Sequence, residues 1–193
     1  FDGQSIPGYW TPDLQSADPL QRSPRIMHPH RFDALALRML LDRRIESVLH
    51  ALMGEEPIAA QSMFYFKPPG AKGQALHQDN YYLRVQPHTC IAAWTAVDRS
   101  YPENGGLYIC PSTHTMVVAC PEVADPLESF TTHFVRPPAG VIPVAVVLDP
   151  GDVLFFGGSI VHGSRSNATT DKWRRAFICH YVPTSFCKMS EHY

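Results

Sequence analysis

The chain has 193 residues, 45% of them hydrophobic, with a formal net charge of −2. That length makes one domain, residues 1–193, the expectation, and the apolar fraction is ordinary for a chain with a real core. No Lys/Arg run offers a footprint for nucleic acid or an anionic membrane, and no apolar run is long enough to span a bilayer or resembles a signal peptide, so a cytoplasmic protein is expected.

The first residue is Phe1 rather than Met, so a preceding segment is expected. Residues 1–30 are rich in Pro, Ser and Asp and show no periodicity; they read as irregular structure that partly covers a site. Residues 31–53 carry Phe32, Leu35, Leu37, Met39, Leu40, Ile45, Val48, Leu49 and Leu52 at mixed three- and four-residue spacing, which predicts two short helices or one bent helix packed on a sheet. Asp42 is placed to cap a helix that starts at Arg43, and Gly54 to stop it. Residues 1–58 therefore form an N-terminal irregular and helical part.

Residues 59–183 change character. Short apolar, β-branched runs recur at Ser62–Lys67, around His77, and at Thr89–Val97, Leu107–Cys110, Val144–Leu148, Val153–Phe156, Ile160–His162 and Arg174–Val182. Turn signals separate them: Pro68-Pro69-Gly70, Asn104-Gly105-Gly106, Asp149-Pro150-Gly151-Asp152 and Gly157-Gly158. The fold class expected is mainly β, a jelly roll or double-stranded β-helix of the cupin-like kind, flanked by N-terminal helices. A Pro-rich segment, 115–143, interrupts the strands and has the length of a lid or binding insertion. The five cysteines, Cys90, Cys110, Cys120, Cys179 and Cys187, are odd in number and form no C-x-x-C pair; they read as free thiols.

The chemistry concentrates in His77-Gln78-Asp79. On a β-strand, residues two apart share a face, so His77 and Asp79 are expected to grip one ion together. Ten histidines make a chance pair unremarkable, and a second cluster adds weight to this one. An apolar strand runs through Gly157-Gly158 to His162, which is either a core histidine with both nitrogens hydrogen-bonded or the candidate third ligand of a facial triad for non-heme Fe(II). Twelve residues on, Arg174 enters an apolar run, where an unpaired buried charge is costly. Either an internal carboxylate or an acidic cosubstrate would pair with it, and alternation allows only one of Arg174 and Arg175 to point inward.

These residues, with Ala93-Trp94-Thr95-Ala96, Glu103-Asn104-Gly105-Gly106-Leu107, Pro111-Ser112-Thr113-His114, Asp149-Pro150-Gly151-Asp152, His162-Gly163-Ser164 and Arg174-Arg175-Ala176 in that order, resemble the phytanoyl-CoA dioxygenase family of Fe(II)/2-oxoglutarate oxygenases over about residues 60–183. The resemblance implies that His77, Asp79 and His162 hold Fe(II). It implies that Arg174 binds the far carboxylate of 2-oxoglutarate, and that Trp94, Ser164, Gln74 and Met63 contact that cosubstrate. The gap from His162 to Arg174 is one residue longer than the family pattern, which leaves Arg174 and Arg175 both open as the clamp.

The activity so implied is oxidation of a C–H bond of a small metabolite with O2 and 2-oxoglutarate, giving succinate and CO2. Asn80, Tyr81, Tyr82 and Arg84 follow the first ligands and are candidates to face substrate. Related halogenases have a small residue where this chain has Asp79, so hydroxylation, or a desaturation or cyclisation related to it, is expected rather than chlorination. A natural-product intermediate is the expected substrate, since no basic cluster awaits a CoA phosphate. The competing reading is a non-catalytic jelly-roll module that binds a metal or ligand; the oligomeric state is left open.

Overall fold

Two aspartates start the two helices that the apolar spacing predicts. Asp33 accepts a hydrogen bond from Ala36 N and caps α1 (Ala34–Leu40). Asp42 accepts one from Arg44 N and caps α2 (Arg43–Met53), which Gly54 ends in the left-handed region at φ 73°. The computed structural model of the chain describes residues 25–191, His88 excepted, so the cover expected from residues 1–24 lies outside the described residues.

The strands are β1 (Arg25–Met27), β2 (Pro57–Tyr65), β3 (Gln74–His77), β4 (Ile91–Ala96), β5 (Leu107–Ile109), β6 (Glu122–Val123), β7 (His133–Phe134), β8 (Val144–Ala145), β9 (Val153–Gly157), β10 (His162–Ser164) and β11 (Ala176–Pro183). They form a sheet of order β1-β2-β11-β4-β9, a second of order β3-β10-β5-β8, and a small β6-β7 ribbon. Every pairing in the two larger sheets is antiparallel. This is the double-stranded β-helix that the strand spacing predicts.

β11 organises the packing. It pairs with β2 on one side and β4 on the other, and all eight of its residues are buried. Ala176 and Ile178 face the inter-sheet core with Met63, Trp94, Leu107 and Phe156. Phe177, Cys179 and Tyr181 face the opposite way, onto Leu40 and Leu49 of the helices, and the Tyr181 hydroxyl donates to Leu40 O at 2.7 Å. A strand covered on both faces needs an unbroken apolar run, which is what Ala176–Val182 supplies around His180. Leu49 is fully buried at the helix–sheet seam. Leu49→Ala is expected to cost about 2–5 kcal/mol through lost transfer energy and the cavity it leaves. Urea unfolding should show a lower midpoint with little change in slope, and an unchanged midpoint would contradict this packing.

Several expectations need correction. Residues 25–27 are an edge strand, because Arg25, Ile26 and Met27 complete a ladder with Tyr65, Phe64 and Met63. The helical apolar residues do not all pack on the sheet: Phe32, Leu35, Leu37, Val48 and Leu52 are exposed among the described residues, because each helix turns only a narrow stripe inward. β2 begins at Pro57, and β11 begins after Arg174 and Arg175. Segment 115–143, expected as a lid or binding insertion, is bonded along β3. Gly73 N, Phe130 N and Val135 N donate to Glu128 O, Gly73 O and Leu76 O at 2.9, 3.0 and 2.7 Å.

Candidate metal centre

β3 and β10 bring two histidines face to face. His77 ends β3, His162 begins β10, and the ladder sets them directly opposite each other with ring centroids 4.3 Å apart. Asp79 is not on the strand, so shared-face alternation is not what places it. It is the first residue of α3 (Asp79–Leu83). The turn is held at Gln78, whose buried carboxamide accepts from Ala119 N and donates to Ser159 O, each at 2.8 Å. Asn80 N donates to Gly158 O at 2.9 Å. The helix start swings Asp79 back, with Oδ1 3.5 Å from His77 Nε2 and 3.7 Å from His162 Nε2.

The tautomers follow from the outer nitrogens. His77 Nδ1 lies 2.8 Å from Ala75 O, and His162 Nδ1 lies 3.0 Å from Ile160 O. A carbonyl only accepts, so each Nδ1 carries a proton, and in the neutral ring each Nε2 lone pair is left for an ion beside Asp79. Burial pushes His162 down to about 4, so its Nε2 is unprotonated at neutral pH. Burial alone would raise Asp79, but the imidazoles of His162 and His180 and the hydrogen bond from His180 outweigh it and hold the carboxyl well below the usual carboxylate range. Two imidazole nitrogens and a carboxylate, with ligand atoms within 4.8 Å of one another, fit a divalent first-row metal.

The cluster opens into a cavity of about 410 Å3, counting its open mouth, whose lining includes Met63, Tyr65, Gln74, Trp94, Ser164 and Arg174. The Gln74 amide nitrogen is 3.0 Å from His77 Nε2, at the rim of the ion site. Arg174 is 3% exposed, donates from Nε to Gly105 O at 3.3 Å, and lies 5.5 Å over the Trp94 ring. No carboxylate among the described residues forms an ion pair with it. Burial lowers its guanidinium to about 10, which leaves it charged at neutral pH. Arg175 points the other way and pairs with Asp98 at 2.7 and 2.8 Å.

Three lining or supporting residues are absent from the sequence reading. Tyr65 receives a hydrogen bond from Arg25 Nη1 at 2.7 Å. Lys67 is buried and donates to Ser164 Oγ, Arg165 O and Gly105 O at 2.8, 2.7 and 3.2 Å; burial and then Arg174 draw its ammonium well below the usual lysine range. His180 Nε2 lies 3.0 Å from Asp79 Oδ2. The signal for His180 is parity, since it stands an even number of residues from Arg174 along one strand direction. Lys67 gives no signal beyond a strand-end lysine before two prolines.

The substrate candidates separate. Tyr82 lies 5.9 Å from the His77 ring, and Tyr81 and Tyr82 both stack near His133, at 5.2 and 5.8 Å. Asn80 is turned inward instead, donating to Ser159 Oγ at 3.2 Å and packed so closely on Gly158 that a Cβ there would meet its Oδ1 at 2.7 Å. Arg84 is the exposed cap that ends α3 at φ 53° and does not line the cavity.

Gly163 shows how tightly β3 and β10 are apposed. A Cβ there would come within 2.8 Å of Gln74 O and 3.0 Å of Leu76 N, both backbone atoms that cannot rotate away. Gly163→Ala is expected to push β3 off β10, costing about 1–3 kcal/mol of stability, and to weaken Co(II) binding by parting His77 from His162. Urea unfolding and a Co(II) titration check both effects; unchanged Co(II) affinity would show that the spacing is not needed.

Two histidines and a carboxylate facing a cavity are the donor set of the non-heme Fe(II) oxygenases. A profile of the family described as phytanoyl-CoA dioxygenase matches residues 13–176, and the chain belongs to that family, which depends on Fe(II) and 2-oxoglutarate. Phytanoyl-CoA dioxygenase 1 of Oryza sativa subsp. japonica is 28% identical over 166 residues, covering 84% of this chain and 58% of that protein. The Arabidopsis thaliana phytanoyl-CoA dioxygenase is 26% identical over 175 residues, covering 84% and 57%. The chain thus spans a little under three-fifths of these relatives.

Among solved structures, the epimerase SnoN in complex with Fe3+, α-ketoglutarate and nogalamycin RO superposes with a TM-score of 0.71 at 21% identity, covering 86% of this chain and 65% of that one. EctD from S. alaskensis with 2-oxoglutarate and 5-hydroxyectoine gives 0.67 at 21% identity, covering 94% and 62%. Both likenesses concern the fold. No helix among the described residues is long and apolar enough to cross a membrane.

Proposed function

We propose that the chain is an Fe(II)- and 2-oxoglutarate-dependent oxygenase that oxidises, by hydroxylation in the first place, a C–H bond of a small metabolite, releasing succinate and CO2. The observation that carries the reading is Arg174: a charged guanidinium, buried without a carboxylate partner among the described residues, in the same cavity as the His77, Asp79 and His162 cluster. A buried cation left so demands an anion, and a dicarboxylic keto acid brings one.

In this reading His77, Asp79 and His162 hold the ion, and Fe(II) with O2 supplies the oxidising chemistry when bound. Arg174 receives the far carboxylate of 2-oxoglutarate in a charge-assisted pair, and the Ser164 hydroxyl beside it donates a further hydrogen bond. Trp94 and Met63 wall that end with apolar surface and keep water from the pair; Gln74 bridges the two ends, its backbone N–H on Ser164 Oγ and its carboxamide next to His77. Tyr81, Tyr82 and His133 form an aromatic face beside His77 against which substrate is positioned. Segment 115–143, fastened along β3, closes that side. Asp79 keeps a carboxylate where a halide would otherwise bind, which favours oxygen transfer over chlorination.

A natural-product intermediate is the substrate class this reading takes. SnoN and SnoK, whose folds match, belong to nogalamycin biosynthesis, and among the described residues that line the cavity Arg174 is the one Lys or Arg, so no basic cluster stands there for a CoA phosphate. The test is succinate formation from 2-oxoglutarate with Fe(II), O2 and a panel of such intermediates. Succinate above the level of a His162→Ala control supports the reading. None, from a protein that binds both Fe(II) and 2-oxoglutarate, would favour a non-catalytic binding module.

A further inference from the structure

The two oxygens of Asp79 have different neighbours. Oδ1 is the one that approaches His77 Nε2 and His162 Nε2, at 3.5 and 3.7 Å. Oδ2 lies 3.0 Å from Nε2 of His180, a residue 2% exposed in the middle of β11. That strand is fixed on both sides, with His180 opposite Gln61 of β2 and Ala92 of β4. The β2 ladder shifts register directly after His180, so the strand changes its fit to its neighbour at the point where this ring is set.

The proton on the ring is placed by exclusion. His180 Nδ1 is buried and has no hydrogen-bond partner among the described residues. A bare lone pair is the cheaper atom to leave there than an N–H, and Asp79 Oδ2 can only accept, so Nε2 carries the proton and donates to the carboxylate. We propose that His180 is a positioning residue for the metal ligand Asp79: it occupies Oδ2 and presents Oδ1 alone to the ion. The inference rests on the metal reading above. Without the donor, Asp79 would keep a buried oxygen unsatisfied and be free to rotate about its terminal torsion, so that the ligand atom would no longer be held before the ion arrives.

The experiment is a Co(II) titration followed by ligand-field absorption, on the unaltered protein, His180→Leu and His180→Gln, with urea stability of each metal-free protein measured alongside. Loss of an outer hydrogen bond to a ligand typically weakens binding about 10- to 100-fold. His180→Leu should therefore bind Co(II) about 10- to 100-fold more weakly, with an altered spectrum, while His180→Gln, which keeps an N–H of similar reach, restores most of the affinity. A merely structural role would weaken the two variants alike. Should His180→Leu not fold, His180→Asn takes its place, with an amide too short to reach; equal affinities for Asn and Gln would overturn the inference. So would His180→Leu binding Co(II) with the affinity and spectrum of the unaltered protein. Failure of the metal reading shows differently: the unaltered protein then binds Co(II) no more tightly than His162→Ala, which overturns both.

Discussion

His162→Ala and His77→Ala are each expected to abolish Fe(II)-dependent succinate formation. The two rings are ladder partners across β3 and β10, and each has its Nδ1 engaged by a carbonyl, which leaves Nε2 to serve as the metal ligand. Removing either leaves one imidazole and one carboxylate, too few to hold the ion against water. The loss should exceed the roughly 10- to 100-fold typical of a residue that only supports a ligand. Stability should fall far less, because neither side chain belongs to the apolar clusters that join the sheets and helices. The measurement is succinate release beside Co(II) affinity and urea unfolding on the same preparation. Full activity in either variant, with the substitution verified, would remove that residue from the metal site.

Arg174→Ala is expected to raise the 2-oxoglutarate requirement and leave the iron requirement nearly unchanged. Breaking a partly buried, charge-assisted pair costs about 2–5 kcal/mol, much of it from the carboxylate left without a partner, or roughly 30-fold to several thousand-fold in affinity. In the unliganded protein the sign reverses. Arg174 there is a buried cation whose guanidinium, among the described residues, makes one hydrogen bond, to Gly105 O, and lies over Trp94, so its removal should leave stability the same or higher. Arg175→Ala should change neither requirement, since its guanidinium is bound outward by Asp98. Separate titrations of 2-oxoglutarate and Fe(II) against succinate rate check this. A large 2-oxoglutarate effect in Arg175→Ala with none in Arg174→Ala would place the clamp one residue later.

The fold class is readable from turn-bounded apolar runs, and the caps at Asp42 and Gly54 from their residue types. The site is readable in its members more than in its reasons. His77 and Asp79 converge because Gln78 anchors a turn into α3, and nothing in a two-residue spacing distinguishes that from a strand. The strand β11 is covered on both faces, so the run that follows Arg174 and Arg175 shows no polar alternation that would have told one from the other. The same erasure hides His180, a polar residue in an apolar run that reads as core until Asp79 is seen opposite. Asn80 and Arg84 follow the ligands in sequence, but the helical turn sends one into the protein and the other to solvent. The exposed leucines of α1 and α2 show the converse limit: mixed spacing identifies a helix without saying how wide its buried stripe is.

In the proposed function one cavity holds an ion at the His77, Asp79 and His162 end and a dicarboxylate between that ion and Arg174. Calorimetric titration of 2-oxoglutarate, with oxygen excluded, tests it most directly when run without metal and again with saturating Mn(II). Binding is expected to be weak or undetectable without metal, tight with Mn(II), and lost in Arg174→Ala and in His162→Ala. Equal binding with and without Mn(II), or no binding by the folded, Mn(II)-saturated protein, would contradict it.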